Sequence, residues 1–457
     1  MREMPHFAFV SRIPRLRMAI WSTRLIRVTT ASVLAGILIG VVGGSFRWCL
    51  EQAEVWRDRL VLWSHGNPYI GWIVPVAAAL VAVALARLLV LKIAPSASGS
   101  GIHRVEAVMA GEIEPGTNLV LPVKYIGGIL ALGSGMALGR EGPTVQMGAT
   151  IGHMVAPLLV QGKDDQNVVL AAGAGAGLAV AFNAPIGGSM FVFEELTSSF
   201  TPWLLVATLS AATFAVTVMR WMIGNKYVFF VLPGTAPVGF TNWYFLALGG
   251  VLGAVGAAYN LLTLRLLDLT ERLAKYPALA RAAAIGAVVG LIAFFAPAMV
   301  GGGDTLTQSI FSGQVPLLGV LAVFMVRFFL GPWSYAAETP GGMFAPLLLV
   351  GTAFGSTFGA IVQHINPAQS PTNVEFAIVG MVALFAASVR APLTGIVLAI
   401  EMTGRGDLTL SMLAAALGAM LVAMLLKSPP IYESLRQRML EREKGPPISE
   451  DSVRLQS

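Results

Sequence analysis

Glu141 is the residue whose setting most readily supports chemistry. It lies in Gly139-Arg140-Glu141-Gly142-Pro143. Glycine favours the bend before a helix and proline its first position, so the spacing predicts an acid just outside a helix N-terminus. Such an end carries about half a positive charge on unpaired N–H groups and will hold any anion. A free halide and the Glu141 carboxylate would compete for that place, and protonation would release the side chain, coupling anion entry to proton arrival. The plainer alternative is that Glu141 only caps the helix or pairs with Arg140.

Ser100 stands between Gly99 and Gly101 ahead of an apolar-periodic stretch that begins at Ile102. Its hydroxyl and the nearby N–H groups could converge on an anion without a fixed positive charge; a plain Ser-Gly cap is the alternative. In Gly342-Met343-Phe344-Ala345-Pro346 the counterparts of Arg140 and Glu141 are Met343 and Phe344. They begin a second broken helix and could present backbone N–H groups, although their side chains read equally as packing. Glu194 and Glu195 are adjacent acids that point in different directions on a helix. Glu401 matches Glu194, which suggests a shared structural role and leaves Glu195, opposite Met402, without a counterpart. Glu195 would be either a cytoplasmic foothold for protons or a boundary salt bridge. Tyr432, just after Pro429-Pro430, reads by itself as a headgroup anchor.

Other chemistries find no residues. His6, His65, His103, His153 and His364 are scattered, and neither HExxH, CxxC nor a GK[ST] ending occurs. No metal, cofactor, nucleotide-driven step or enzyme activity is expected. The single cysteine, Cys49, allows no internal disulfide and reads as a packing residue.

The elements that must position these groups are membrane helices. Of 457 residues 56% are hydrophobic and 12% charged, and the mean hydropathy is +0.74, which excludes a water-soluble globule. Apolar stretches lie near 28–48, 69–93, 119–139, 168–193, 203–223, 240–264, 281–300, 315–331, 344–363, 375–402 and 408–426. They lack the alternation of barrel strands, so helices are the reading. About 11 to 15 crossings fit the length. Gly36, Gly40 and Gly44 have the spacing of close helix packing. Six arginines, from Arg2 to Arg27, precede the first apolar run, and Lys427, Arg436, Arg438, Arg442 and Lys444 follow the last. The net charge of +6 is thus explained by membrane orientation and not by nucleic acid. The positive-inside bias predicts both termini in the cytoplasm and an even number of complete crossings. The long leader, with Pro5 and Pro14, does not read as a cleaved signal.

The interruptions repeat. Gly139 to Pro143 recurs 203 positions on as Gly342 to Pro346, and Gly148 and Gly152 fall on Gly351 and Gly355. Gly99-Ser100-Gly101 recurs after 202 positions as Gly301-Gly302-Gly303, and Ala184-Pro185 through Glu194 after 207 as Ala391-Pro392 through Glu401. The chain divides into a basic segment 1–27, a first membrane half 28–225, a second half 226–432 and a short tail 433–457. Transporters built from two halves bind substrate between them at broken-helix N-termini; whether the halves are parallel or inverted stays open at this point.

As a set, GSGI at 99–102, GREGP at 139–143, FNAP through FEE at 182–195, GGMFAP at 341–346 and RAPLTG at 390–395 resemble the CLC chloride channel and transporter family, from about residue 28 to Tyr432. The type most similar is the bacterial chloride/proton antiporter. The resemblance implies an all-α polytopic membrane protein in the CLC fold, with two inverted-topology repeats of broken and tilted transmembrane helices. It further implies a homodimer with one anion pathway per subunit, multi-pass in the plasma membrane, here a bacterial inner membrane. Chloride and protons would be the substrates. Ser100 and Tyr432 would supply hydroxyls and Met343 and Phe344 backbone N–H groups to chloride, within a selectivity motif of Gly99, Gly101, Ile102, Gly139, Arg140, Gly142, Pro143, Gly342 and Pro346. Glu141 would be the external gate and Glu195 the internal proton-transfer acid. Serine at position 100, where nitrate-preferring relatives carry proline, favours chloride, and the fluoride-exporting branch is disfavoured.

Three departures stand out: His103 replaces the proline that follows GSGI, Glu338 replaces a common glycine before Pro340-Gly341-Gly342, and 25 residues after Tyr432 are too few for the paired nucleotide-sensing CBS domains. His103 is a solvated residue or a pH-sensitive one; Glu338 is a mouth charge or a peripheral ion pair. The alternatives to exchange are a passive chloride channel of the same family and, remotely, an intramembrane hydrolase using Ser100 with His103 or His153.

Overall fold

Apolar segments interrupted by glycine and proline must satisfy their backbone within short helices, and the chain does so almost throughout. The structure, a computed structural model, describes residues 15–67, 69–225, 227–232, 242–367 and 370–444. The leader to residue 14 and the tail from 445 lie outside the described residues. The first half holds α1 (Arg15–Ser64), α2 (Ile73–Lys92), α3 (Ile102–Met109), α4 (Val120–Gly133), α5 (Glu141–Leu159), α6 (Lys163–Phe182), α7 (Pro185–Phe191) and α8 (Pro202–Ile223). The second holds α9 (Asn242–Arg272), α10 (Ala278–Phe295), α11 (Asp304–Phe311), α12 (Leu317–Tyr335), α13 (Phe344–Ile365), α14 (Asn373–Val389), α15 (Pro392–Thr403) and α16 (Thr409–Leu425), and α17 (Ile431–Lys444) follows.

Among the described residues, nine helices are long and apolar enough to cross a membrane, and three are shorter apolar helices. Two of the eleven apolar runs fall short of a single full span. The run at 119–139 keeps only α4 as helix, and 375–402 divides into α14 and α15. The run at 168–193 divides in the same way, at Asn183 (φ 55°), which is the counterpart of Arg390 (φ 76°). Each left-handed residue is followed by Ala-Pro. The residue before a proline resists the helical region, and the proline then opens a new helix.

Equivalent elements pack equivalently: α1 on α8 as α9 on α16, and α5 on α6 as α13 on α14. Close approach requires glycine at the first contact, where a Cβ on Gly36 would lie 2.4 Å from the Ala211 carbonyl oxygen. Helices α7 and α15 are each other's counterparts and run antiparallel, each capped by an acid from the other half. The Glu194 carboxylate accepts from the N–H groups of Leu393 (3.1 Å) and Thr394 (2.7 Å) and from the Thr394 hydroxyl (2.8 Å). Glu401 accepts from Ile186 (3.2 Å) and Gly187 (2.7 Å). The halves are therefore inverted repeats, and the matched pair Glu194 and Glu401 shares a structural role. Replacing either by alanine leaves two helix-start N–H groups without their charged acceptor, a loss of about 1–3 kcal/mol. Thermal unfolding of the purified Glu194→Ala and Glu401→Ala proteins will read this as a lowered Tm, with glutamine variants in between.

Candidate functional site

The site forms where the starts of α5 and α13 meet. Gly139 and its counterpart Gly342 exchange both backbone hydrogen bonds, at 2.7 and 2.8 Å, as an isolated antiparallel bridge. That bridge sets where α5 starts: its cap is Arg140, and Glu141 is the first helical residue, one place further in than the sequence predicts. The carboxylate lies over the start of its own helix and reaches the opposite one. Its Oε1 accepts the Ala345 N–H of α13 at 2.5 Å, across the two halves. Oε2 is buried without a protein partner. Gly139 makes room for this seat, because a Cβ there would lie 2.0 and 2.2 Å from the two carboxylate oxygens. Arg140 does not pair with Glu141; it bonds Asp304 (3.0 Å) and the Ala181 carbonyl (3.0 Å).

Two hydroxyls complete the buried set. Ser100 is fully buried and its Oγ has no protein partner. A Cβ on Gly142 would lie 2.5 Å from that oxygen, so the serine abuts the first turn of α5. Tyr432, in the first turn of α17, is equally buried with its hydroxyl unpartnered, and it lies within electrostatic reach of Glu141, Tyr335, Glu195 and Glu106. Met343 and Phe344 precede the first intrahelical bond of α13, from the Leu347 N–H to the Met343 carbonyl, so their N–H groups have no partner within the helix. Phe344 packs on Phe182 and Phe385, with ring centroids 5.1 and 4.3 Å away. Buried oxygens and amide ends gathered without a neutralising cation suit a weakly held anion.

The cations stand one layer back and were not singled out by the sequence reading. Lys124 of α4 donates to the carbonyls of Gly99 (2.6 Å) and Ser100 (3.1 Å). Its counterpart 203 positions on, Arg327 of α12, donates to Gly301 (2.7 Å), the counterpart of Gly99. Both are essentially fully buried. A lone cation recurring at the repeat offset within two apolar runs was the signal that could have found them. Tyr335, whose hydroxyl accepts the Ser100 N–H at 3.4 Å, left none.

Two cavities with separate linings lie beside these residues. One of about 330 Å³ is lined by Arg57, Gly139, Arg140, Glu141, Asp304 and Ala345. The other, about 280 Å³, reaches Ser98, Gly99 and Tyr335 between α3 and α17. Glu141 closes off the first, and the Ser100 loop bounds the second.

Glu195 is set apart. It lies in a π turn, Val192–Leu196, that continues α7, and its carboxyl lies beside that of Glu106 on α3. Neighbouring buried carboxyls disfavour one another's ionisation. Glu106 is a buried acid that an acid in a short apolar helix six residues after Ser100 could have announced. His103 lines the second cavity with Nδ1 unpartnered. Glu338 bonds Arg87 and Arg442. Burial pushes the Glu338 carboxyl up, but the two guanidinium groups outweigh it and hold it below the ordinary glutamate range. The stability of these pairs is thus present above the ordinary glutamate value and lost as pH falls through the lowered one.

Residues 82–424 match the family model described as voltage gated chloride channel. The chain belongs to that family, the CLC proteins, which are transporters and channels. It is 39% identical over 422 residues to the H(+)/Cl(-) exchange transporter ClcA of Vibrio cholerae serotype O1 (strain M66-2), covering 90% of each chain. It is 36% identical over 421 residues to the protein of that name from Cronobacter sakazakii (strain ATCC BAA-894), again with 90% of each covered. Among solved structures it is similar to a slow cyanobacterial Cl-/H+ antiporter, with a TM-score of 0.87 and 33% identity over 91% of this chain and 98% of that one.

The seat of Glu141 can be tested by steric displacement. Gly139→Ala puts a methyl group where the carboxylate oxygens lie, so the side chain must leave Ala345. Chloride efflux from liposomes at pH 4.5 and 7.5 will differ less in this variant than in the parent.

Proposed function

We propose that this chain is a secondary active transporter that exchanges chloride for protons, with Glu141 alternating between anion mimic and proton carrier. The observation that carries this reading is the Glu141 carboxylate held on the Ala345 N–H of the opposite half, at the wall of a cavity of about 330 Å³. An anion replaces a carboxylate at a helix start only when that carboxylate is neutralised or swings away, so halide passage and proton uptake share one residue. Ser100 and Tyr432 supply hydroxyls, and Met343 and Phe344 supply N–H groups, to the chloride displaced inward. Glu195 passes the proton to the cytoplasm, with Glu106 as its contact. The relatives named as H(+)/Cl(-) exchange transporters support exchange over passive conduction. The assembly is a homodimer in a bacterial inner membrane, each subunit with its own path, and both termini face the cytoplasm, where the basic residues of α17 lie.

Purified protein in liposomes tests this. A chloride gradient should drive protons uphill. Glu141→Gln should abolish that movement and make chloride flux independent of pH; Glu195→Gln should abolish proton movement while sparing chloride flux. Chloride flux with no proton movement in the parent would mean a channel, and coupling that survives Glu141→Gln would remove Glu141 from the gate. Ser100→Ala should shift the ratio of chloride to nitrate flux toward nitrate.

A further inference from the structure

Glu338 stands in the turn between α12 and α13 at φ 52°, a backbone region that favours glycine and costs other residues. Its contacts account for a glutamate there. The carboxylate pairs with Arg87 of α2 and, at 2.9 Å, with Arg442 of α17. The carbonyl accepts from Arg87 Nη1 (2.8 Å) and from the Ser98 hydroxyl (3.2 Å). One residue thereby binds the turn it stands in, the loop that leads into Ser100, and the helix that begins beside Tyr432. Two of these pieces, the turn and the loop, are linked again close by: the Gly341 N–H donates to the Gly99 carbonyl at 3.1 Å, and Tyr335, at the end of α12, takes the Ser100 N–H.

On its far side α17 is fastened to the end of α9. Arg438 pairs with Asp268 and, at 2.6 Å, with Glu271, and Arg442 pairs with Glu271 as well. Arg104 of α3 pairs with Glu443 at 2.9 Å. Arg104, Glu338, Arg438, Arg442 and Glu443 line the cavity that reaches Gly99. Asp268 and Glu271 tie α17 to α9, and Arg104 ties it to α3 on the far side of Ser100; Glu338 ties it to the turn before α13 and, through Arg87 and Ser98, to the near side of the Ser100 loop.

We propose that Glu338 is a positioning residue for chloride at the cytoplasmic mouth, fixing the spacing between the Ser100 and Tyr432 hydroxyls by holding Arg87 and Arg442 together. This rests on the exchange reading above. Without the carboxylate, two guanidinium groups repel one another and α17 keeps its ties to α9 and α3 but loses the one to the turn and the near side of the loop. The mouth then widens, and chloride is held less tightly and leaves faster.

The test uses the full chain in liposomes, with chloride titrated separately on each side, and chloride binding by calorimetry in detergent. Glu338→Gly suits the backbone and removes the tie; Glu338→Gln removes only the charge. Each should weaken chloride binding about five-fold, within the span of coupled neighbours, and raise turnover. Each should also raise the KM for cytoplasmic chloride and leave the external KM unchanged. Arg442→Gln should act in the same direction, and the double variant Glu338→Gln with Arg442→Gln should exceed neither single change. Glycine and glutamine variants with the parent's affinity, turnover and sided KM overturn the proposal while leaving exchange in place. Glutamine substitutions at 338 and 442 that move the cytoplasmic KM in opposite directions also overturn it, since that is the signature of cavity charge alone. A parent that binds chloride but moves no protons refutes the exchange reading instead, and the calorimetric comparison still decides the role of Glu338.

Discussion

One hydrogen bond ties the arrangement together: the N–H at the start of α13 reaching a carboxylate from the start of α5. A helix start that faces nothing is costly inside a membrane protein, and a carboxylate that faces nothing is costlier. Each solves the other's problem only if both helices stop at the same place, and the mutual bridge of Gly139 and Gly342 fixes that place. The missing side chains at these glycines are therefore part of the chemistry. The site is a meeting of two interrupted helices, and the rest of the fold holds the interruptions in register.

The two halves supply this register symmetrically and use it asymmetrically. Lys124 and Arg327 brace equivalent loop carbonyls, and Glu194 and Glu401 cap one another's neighbours. Yet Glu141 faces Phe344 as its counterpart, Ser100 faces Gly302, and Glu195 faces Met402. Structural residues recur at the repeat offset, whereas the groups with exchangeable protons or free hydroxyls do not. Symmetry thus separates scaffold from site in this chain without reference to any other protein.

Much of this was legible in the sequence because it rests on local rules. Glycine and proline report where helices break, their recurrence reports two halves, and an acid in a break reports a helix start. The pairing of α7 with α15, and of Glu195 with Glu106, was not legible, because both depend on which breaks come together in space. The start of α5 was displaced by one residue for the same reason: Gly139 bonds a residue 203 positions away, and no local preference encodes that. Arg87, Glu338 and Arg442 lie far apart in the chain; Glu338 drew notice as an acid where glycine was expected and Arg442 only as one of a basic cluster, and nothing local joins them.

The reciprocal capping of α7 and α15 bears on how such a chain is made. Glu401 follows Ile186 by 215 residues, so during synthesis the earlier helix emerges with its first amides lacking their acceptor. Translation must pass 215 further residues before the missing acid arrives. Until its inverted twin is delivered beside it, the amino-terminal half lacks that cap, worth about 1–3 kcal/mol.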